Sequence, residues 1–272
     1  LEFKSISANG AASGIVLSST GSSGGLVVKG DSGSSNNSSR GLIQNTTGHR
    51  FSLASTRNLA LDQMTIQATG GSGINGTAVT NFAFTNGTIT GSGDALGESN
   101  IAFNGNGALT SNNLDGTLTV TGSTLSNAFD HGIHVESDAG TLSNATIQNN
   151  TISSSTSTAS SKGGGIQLIG TGNGATAASL TKATISGNTI SNFPSGAGIQ
   201  VSYGNASASG PGGGAGVPSS ANVVTISNNT LNGGATKFGT SAILFVIGGG
   251  NAGSRSQGNL AITNNNAQNS LG

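Results

Sequence analysis

Cysteine and tryptophan are absent from this chain of 272 residues, proline occurs three times, tyrosine once, and only 7% of the residues are charged. Without cysteine there are neither disulfides nor thiolate metal sites, which fits an exported protein, for which unpaired thiols are a liability. Nine basic and nine acidic side chains cancel, and this removes the electrostatic case for nucleic acid as a partner. No apolar run approaches the roughly 18 residues needed to cross a bilayer, so no membrane insertion is expected. "AILFVI" at 242–247 has the length of a strand. No signal peptide precedes the chain, which opens on Leu1, and the expectation is a mature or excised piece of something longer. Negative charge is also missing from one half, because all nine acidic residues lie at or before Asp138. Beyond Ala139 the ionisable side chains are Lys162, Lys182, Lys237, Arg255 and Tyr203, so carboxylate chemistry is excluded there.

What is present is glycine, asparagine and short aliphatic runs. Forty-seven glycines and 4% aromatics would suit a flexible polar polymer, but such segments carry high charge and few β-branched residues. Here Ile, Val and Leu recur throughout, and an ordered core of many thin layers follows. Four stretches are near copies: "ATIQNNTI" from 145, "ATISGNTI" from 183, "VTISNNTL" from 224 and "LAITNNNA" from 260. Aligned on Ile147, Ile185, Ile226 and Ile262, the repeat extends upstream in looser form through Val120, Phe103, Phe84 and Ile66. A second register lies between the copies, in "GIHVE", "GIQLI", "GIQVS" and "AILFV". Its alternation turns Ile133, Ile166, Ile199 and Ile243 inward and His134, Gln167, Gln200 and Leu244 outward.

No window sustains a 3.6-residue apolar period. The expected fold is therefore all-β, a single-stranded right-handed parallel β-helix of roughly ten coils, with residues 1–272 forming one domain. Its corners need residues that tolerate the left-handed region, which Gly and Asn do readily. Asn150, Asn188, Asn229 and Asn265 are accordingly expected to turn the chain and to stack as a hydrogen-bonded structural ladder.

"LIQNTTGHRFSLASTRNLALDQMTIQATGGSGINGT" and "TISNFPSGAGIQVSYGNASASGPGGG" resemble bacterial right-handed β-helix repeat proteins of the pectate-lyase-like superfamily, in particular exported proteins similar to autotransporter passengers. The resemblance runs from about Gly41 to the end. It implies a fold and leaves the function open, since the superfamily includes lyases, hydrolases, epimerases, phage spikes and non-catalytic stalks. It also implies an extracellular or cell-surface location in a bacterium.

Reactive chemistry is concentrated in "FDHGIHVESD", which supplies Asp130, His131, His134, Glu136 and Asp138. His134 and Glu136 are expected to point out on one face. Such a group can do acid/base work on a sugar or bind a divalent metal through two imidazoles and a carboxylate. "DHG" is similar to the "GHG" element of polygalacturonase-like members, but their "DD" pair and "RIK" element are missing. Pectate lyases need acidic calcium ligands with a nearby Arg. Of Arg40, Arg50, Arg57 and Arg255, three lie several coils away, so calcium has little support and no cofactor is expected. His49 reads as a turn residue. Binding to ice would need outward Thr repeated over many coils, and "TLTVTGSTL" is the only dense stretch. Glycine- and serine-rich connections lengthen after residue 150 and are expected to emerge on one side as a contact surface for polysaccharide or cell-surface glycan. The last coil, "ITNNNAQNSLG", carries no polar cap, which points to further coils or end-to-end self-association. The leading expectation is a non-catalytic surface module, an adhesin or stalk. A polysaccharide-active enzyme using Asp130, His131, His134 and Glu136, and a self-stacking filament subunit, are the alternatives.

Overall fold

The structure, a computed structural model, describes residues 1–30, 40–104, 112–154, 163–170, 178–203, 223–247 and 259–269. Among these, every strand pairs in parallel. There is no α-helix among them, only a 3-10 turn at Gly234–Thr236. The chain is a parallel β-helix with three strand columns per coil.

In the first column Ile15, Phe51, Ile74, Ile101, Ile133, Ile166, Ile199 and Ile243 lie over one another. The second stacks Val28, Leu61, Phe84, Val120, Ile147, Ile185, Ile226 and Ile262. The third stacks Ala8, Ile43, Ile66, Ile89, Leu125, Ile152, Ile190, Leu231 and Ala267. That third column is a sheet of nine strands, so the described coils number nine where roughly ten were expected. The first two columns merge into one sheet because Phe51–Asp62 and Ile74–Thr85 each run through both as continuous 12-residue strands. Side chains of the middle rungs are fully buried, and each aliphatic so placed contributes about 1.5–3 kcal/mol.

Three expectations are corrected. Phe103 belongs to the first column, opposite Val135, and Ile66 to the third, opposite Ile89, so neither continues the Ile147 stack. A coil bends three times, and its two kinds of apolar strand end are easily confused in sequence. The left-handed corner residue is also not the ladder asparagine but its predecessor: Gln63, Asn86, Gly122, Asn149, Gly187, Asn228 and Asn264 all have positive φ. Turning and stacking are thus separate tasks in adjacent positions. Finally, outward Thr is not confined to one stretch. Thr65, Thr88, Thr124, Thr151, Thr189 and Thr230 form a continuous column on the outside of the third face.

The ladder itself is as expected. Asn150 Nδ2 donates to Asn188 Oδ1 at 2.9 Å, Asn188 to Asn229 at 3.0 Å and Asn229 to Asn265 at 2.9 Å. Each Nδ2 also donates to a carbonyl of the preceding coil, those of Val120, Ile147, Ile185 and Ile226. Each Oδ1 also accepts from the backbone N–H of the preceding rung, that of Ser123, Asn150, Asn188 or Asn229, which for Asn188, Asn229 and Asn265 is a second bond. A buried amide is satisfied on both sides in this way, as burial demands.

Candidate functional site

The corner that leads into the first column gathers the chain's reactive groups. Position by position it stacks His49, Ser72, Ser99, His131, Gly164 and Ala197, linked by backbone bonds such as Arg50 N–H to Ser72 O and Gly132 N–H to Gly164 O. Small residues follow His131 because each coil's backbone presses on the next. A Cβ on Gly164 would collide with the carbonyl of Ala197, and one on Gly163 would lie 2.6 Å from Asp130 Oδ1.

Asp130, His131 and His134 come together here, with exposures of 6%, 7% and 8%. One ligand atom from each lies within 4.8 Å of the others. The two imidazole rings are 4.2 Å apart between centroids and tilted by 36°. His131 Nδ1 is 3.3 Å from Asp130 Oδ2, and His134 Nε2 is 3.3 Å from Glu136 Oε2. Neither approach is aligned as a hydrogen bond, so both buried nitrogens face a carboxylate without a directed partner. His134 does share a face with Glu136, as expected. It is covered rather than exposed, however, because Asn104 reaches over it and binds its Nδ1 at 3.1 Å. Asp130 is oriented by the backbone N–H of Gly97 at 2.9 Å. Asp138 is not among the three residues that meet.

Burial above all pushes the His134 imidazole below its ordinary value, with Glu136 opposing. For Asp130 burial acts the other way, but contact with His131, the Gly97 N–H and the charge of His134 together hold the carboxyl below its usual range. The site is therefore poised as a carboxylate beside a neutral buried imidazole at neutral pH.

Sequence reasoning did not find Asn104 or Gly97, which contribute a single amide and a backbone N–H from the coil before and leave no pattern to read. Arg50 and His49 were undervalued. Arg50 is fully buried, donates to the carbonyl of Gly48 at 2.6 Å, and has its pKa lowered to about 10 by burial against the opposing pull of Glu98. His49 Nδ1 accepts from the N–H of Ser72 at 3.0 Å, and its pKa is lowered, chiefly by burial. Arg50 stands three rungs from His131, roughly 14 Å at the usual strand spacing, so it does not join the cluster. Arg40 is buried elsewhere, on Asp62 at 2.7 Å. Arg57 donates to Ser22 O, and Arg255 lies outside the described residues.

Beyond His131 the outer face opens into a groove of about 210 Å³, lined by Gln167, Gln200, Leu244, Ser195 and Thr240 among others. Gln167 Nε2 donates to Gln200 Oε1 at 2.9 Å, continuing the His134 column as paired amides. The long connections named above fall largely on 155–162, 171–177, 204–222 and 248–258, outside the described residues.

Compared with protein-family models, with curated proteins and with solved structures, the chain gives no match. The architecture stands on its own as an all-parallel solenoid with an asparagine ladder, joining Asn150 to Asn265.

Proposed function

We propose that this chain is a non-catalytic module of an exported bacterial protein, a stalk or adhesive passenger similar to those of pectate-lyase-like β-helix proteins, whose side groove contacts neutral glycan. The observation that carries the reading is the groove beside Gln167 and Gln200. Its lining offers amides, hydroxyls and one imidazole, and no carboxylate. Paired amides in a column can bridge neighbouring hydroxyls of a sugar, as donor and acceptor together, while Leu244 offers an apolar patch. The low charge of the second half suits a neutral ligand. To test this, the chain and its Gln167→Ala/Gln200→Ala variant are passed over immobilised neutral and acidic polysaccharides, with new reducing ends and unsaturated uronate followed in parallel. Retention on a neutral glycan that is lost in the variant, without turnover, is the expected result. Equal retention of both proteins removes the groove from the account.

The enzyme reading is favoured by one observation, the two histidine–carboxylate approaches at the end of that groove. It predicts cleavage that disappears in His134→Ala, and the same experiment decides it. A self-stacking filament subunit is the remaining alternative reading. Sedimentation and negative-stain microscopy test it.

A further inference from the structure

We propose that Asp130, His131, His134 and Glu136 form a binding site for a transition-metal dication of the zinc type, a role independent of glycan contact. The argument starts from two orphaned atoms. His131 Nδ1 and His134 Nε2 are buried and lack hydrogen bonds, yet each sits 3.3 Å from a carboxylate oxygen. Nitrogen and oxygen ligands about 2.0–2.1 Å from a tetrahedral zinc stand roughly 3.4 Å apart. Both histidine–carboxylate separations therefore already have the length of a tetrahedron's edge, and a shared cation supplies the partner that neither nitrogen has.

Asp130, His131 and His134 meet within 4.8 Å, so side-chain rotation closes that set, and the partly buried Glu136 stands beside His134 Nε2 as the fourth donor. Asp130 is already held by Gly97 N–H and backed by Gly163, and His134 by Asn104. Such outer contacts orient ligands in metal sites. His131 lines the groove, which provides an entry path. Two imidazoles with two carboxylates suit zinc, nickel or copper, whereas calcium takes six to eight oxygens, so the donor set does not fit calcium.

One detail makes the proposal specific. Asn104 Nδ2 donates to Gly97 O at 3.3 Å as well as facing His134 Nδ1. With the amide turned this way Nδ1 accepts, and the neutral, metal-free ring then carries its hydrogen on Nε2. Metal at Nε2 requires this hydrogen to move to Nδ1 and Asn104 to present its Oδ1 instead. The ring stays neutral throughout.

The test uses the full chain without a histidine tag, stripped with chelator and dialysed against zinc or calcium. Cobalt absorption reports geometry, and imidazole nitrogen shifts report the tautomer. The expected result is a single retained zinc, a tetrahedral cobalt spectrum, and His134 changing from the Nε2–H to the Nδ1–H form. His134→Gln installs the residue that the next two rungs carry at this position, so it should fold and yet lose at least the ~100-fold in affinity that even an outer-shell change can cost. Asp130→Asn should weaken binding too, and His49→Gln should not. No retained zinc, or retention equal in wild type, His134→Gln and Asp130→Asn, overturns the proposal.

Discussion

At the corner after the second column, the upstream rungs place Met64, Gly87 and Ser123, whereas the downstream rungs place Asn150, Asn188, Asn229 and Asn265. The same backbone turn is thus filled in two ways. Upstream, rings such as Phe84 occupy the space, so closely that a Cβ on Gly87 would strike its ring. There the ionic groups are buried too, Arg40 on Gln63 and Asp62 and Arg50 on backbone carbonyls. Downstream, Ile147, Ile185 and Ile226 stand in the column of Phe84, and the corner is closed by amides that satisfy one another. A solenoid can use volume or hydrogen bonding at one position, and Ser123 marks the changeover: its N–H donates to Asn150 Oδ1 while its own Oγ accepts from Gly87 N–H.

The sharpest way to break the comparison is Asn188→Leu, which keeps the branched outline of the side chain, removes its polar atoms and adds bulk to the corner. It strands the N–H and Nδ2 of Asn150, the Ile147 carbonyl and one bond to Asn229. Denaturant unfolding should record a loss of about 3–6 kcal/mol, against about 1–2 for Ser123→Ala. Equal losses would mean that the ladder adds nothing to the corner. Next comes Arg40→Met, which removes a buried guanidinium but leaves Asp62 31% exposed to water. The same assay should give about 2 kcal/mol, well short of a fully buried pair.

A pH profile sharpens the contrast further. The folded His134 value lies below its ordinary 6.5, so the unfolded chain binds the proton first and stability falls as pH drops below that point. His134→Gln should flatten the fall, with a residue left by His49, whose value is lowered as well. A profile unchanged in His134→Gln would contradict the burial of the His134 ring. The smallest effect belongs to Ser123→Asn, which extends the ladder by one rung and should gain no more than about 1 kcal/mol. Gly87→Asn, one rung further, should destabilise instead.

Much of this was legible before any coordinates. Inward Ile133, Ile166 and Ile199 and the four ladder residues follow from alternation and spacing alone, because downstream coils repeat nearly the same strand. Upstream the repeat loosens. Coil lengths vary there and two strand columns fuse through Phe51–Asp62, so Phe103 and Ile66 drift into the wrong column. The Thr column was hidden for a related reason, since its members sit 23 to 41 residues apart and align only once the rungs are fixed. For the site, the local sequence named all four residues, but the Asn104 cover depends on a coil 30 residues earlier. That closure buries an imidazole which alternation alone would leave in solvent.

The corner amides also matter under load. Backbone hydrogen bonds in this molecule run from rung to rung, along the length of the stack, so tension applied end to end meets them one coil at a time. Between Asn150 and Asn265 each junction carries, at one fixed corner, two amide bonds and a backbone bond to an amide in addition to its strand pairing. The rivets all sit on one edge. A stretched rod of this kind would open like a book on its hinge, parting first along the single face opposite the asparagines, that of the first column.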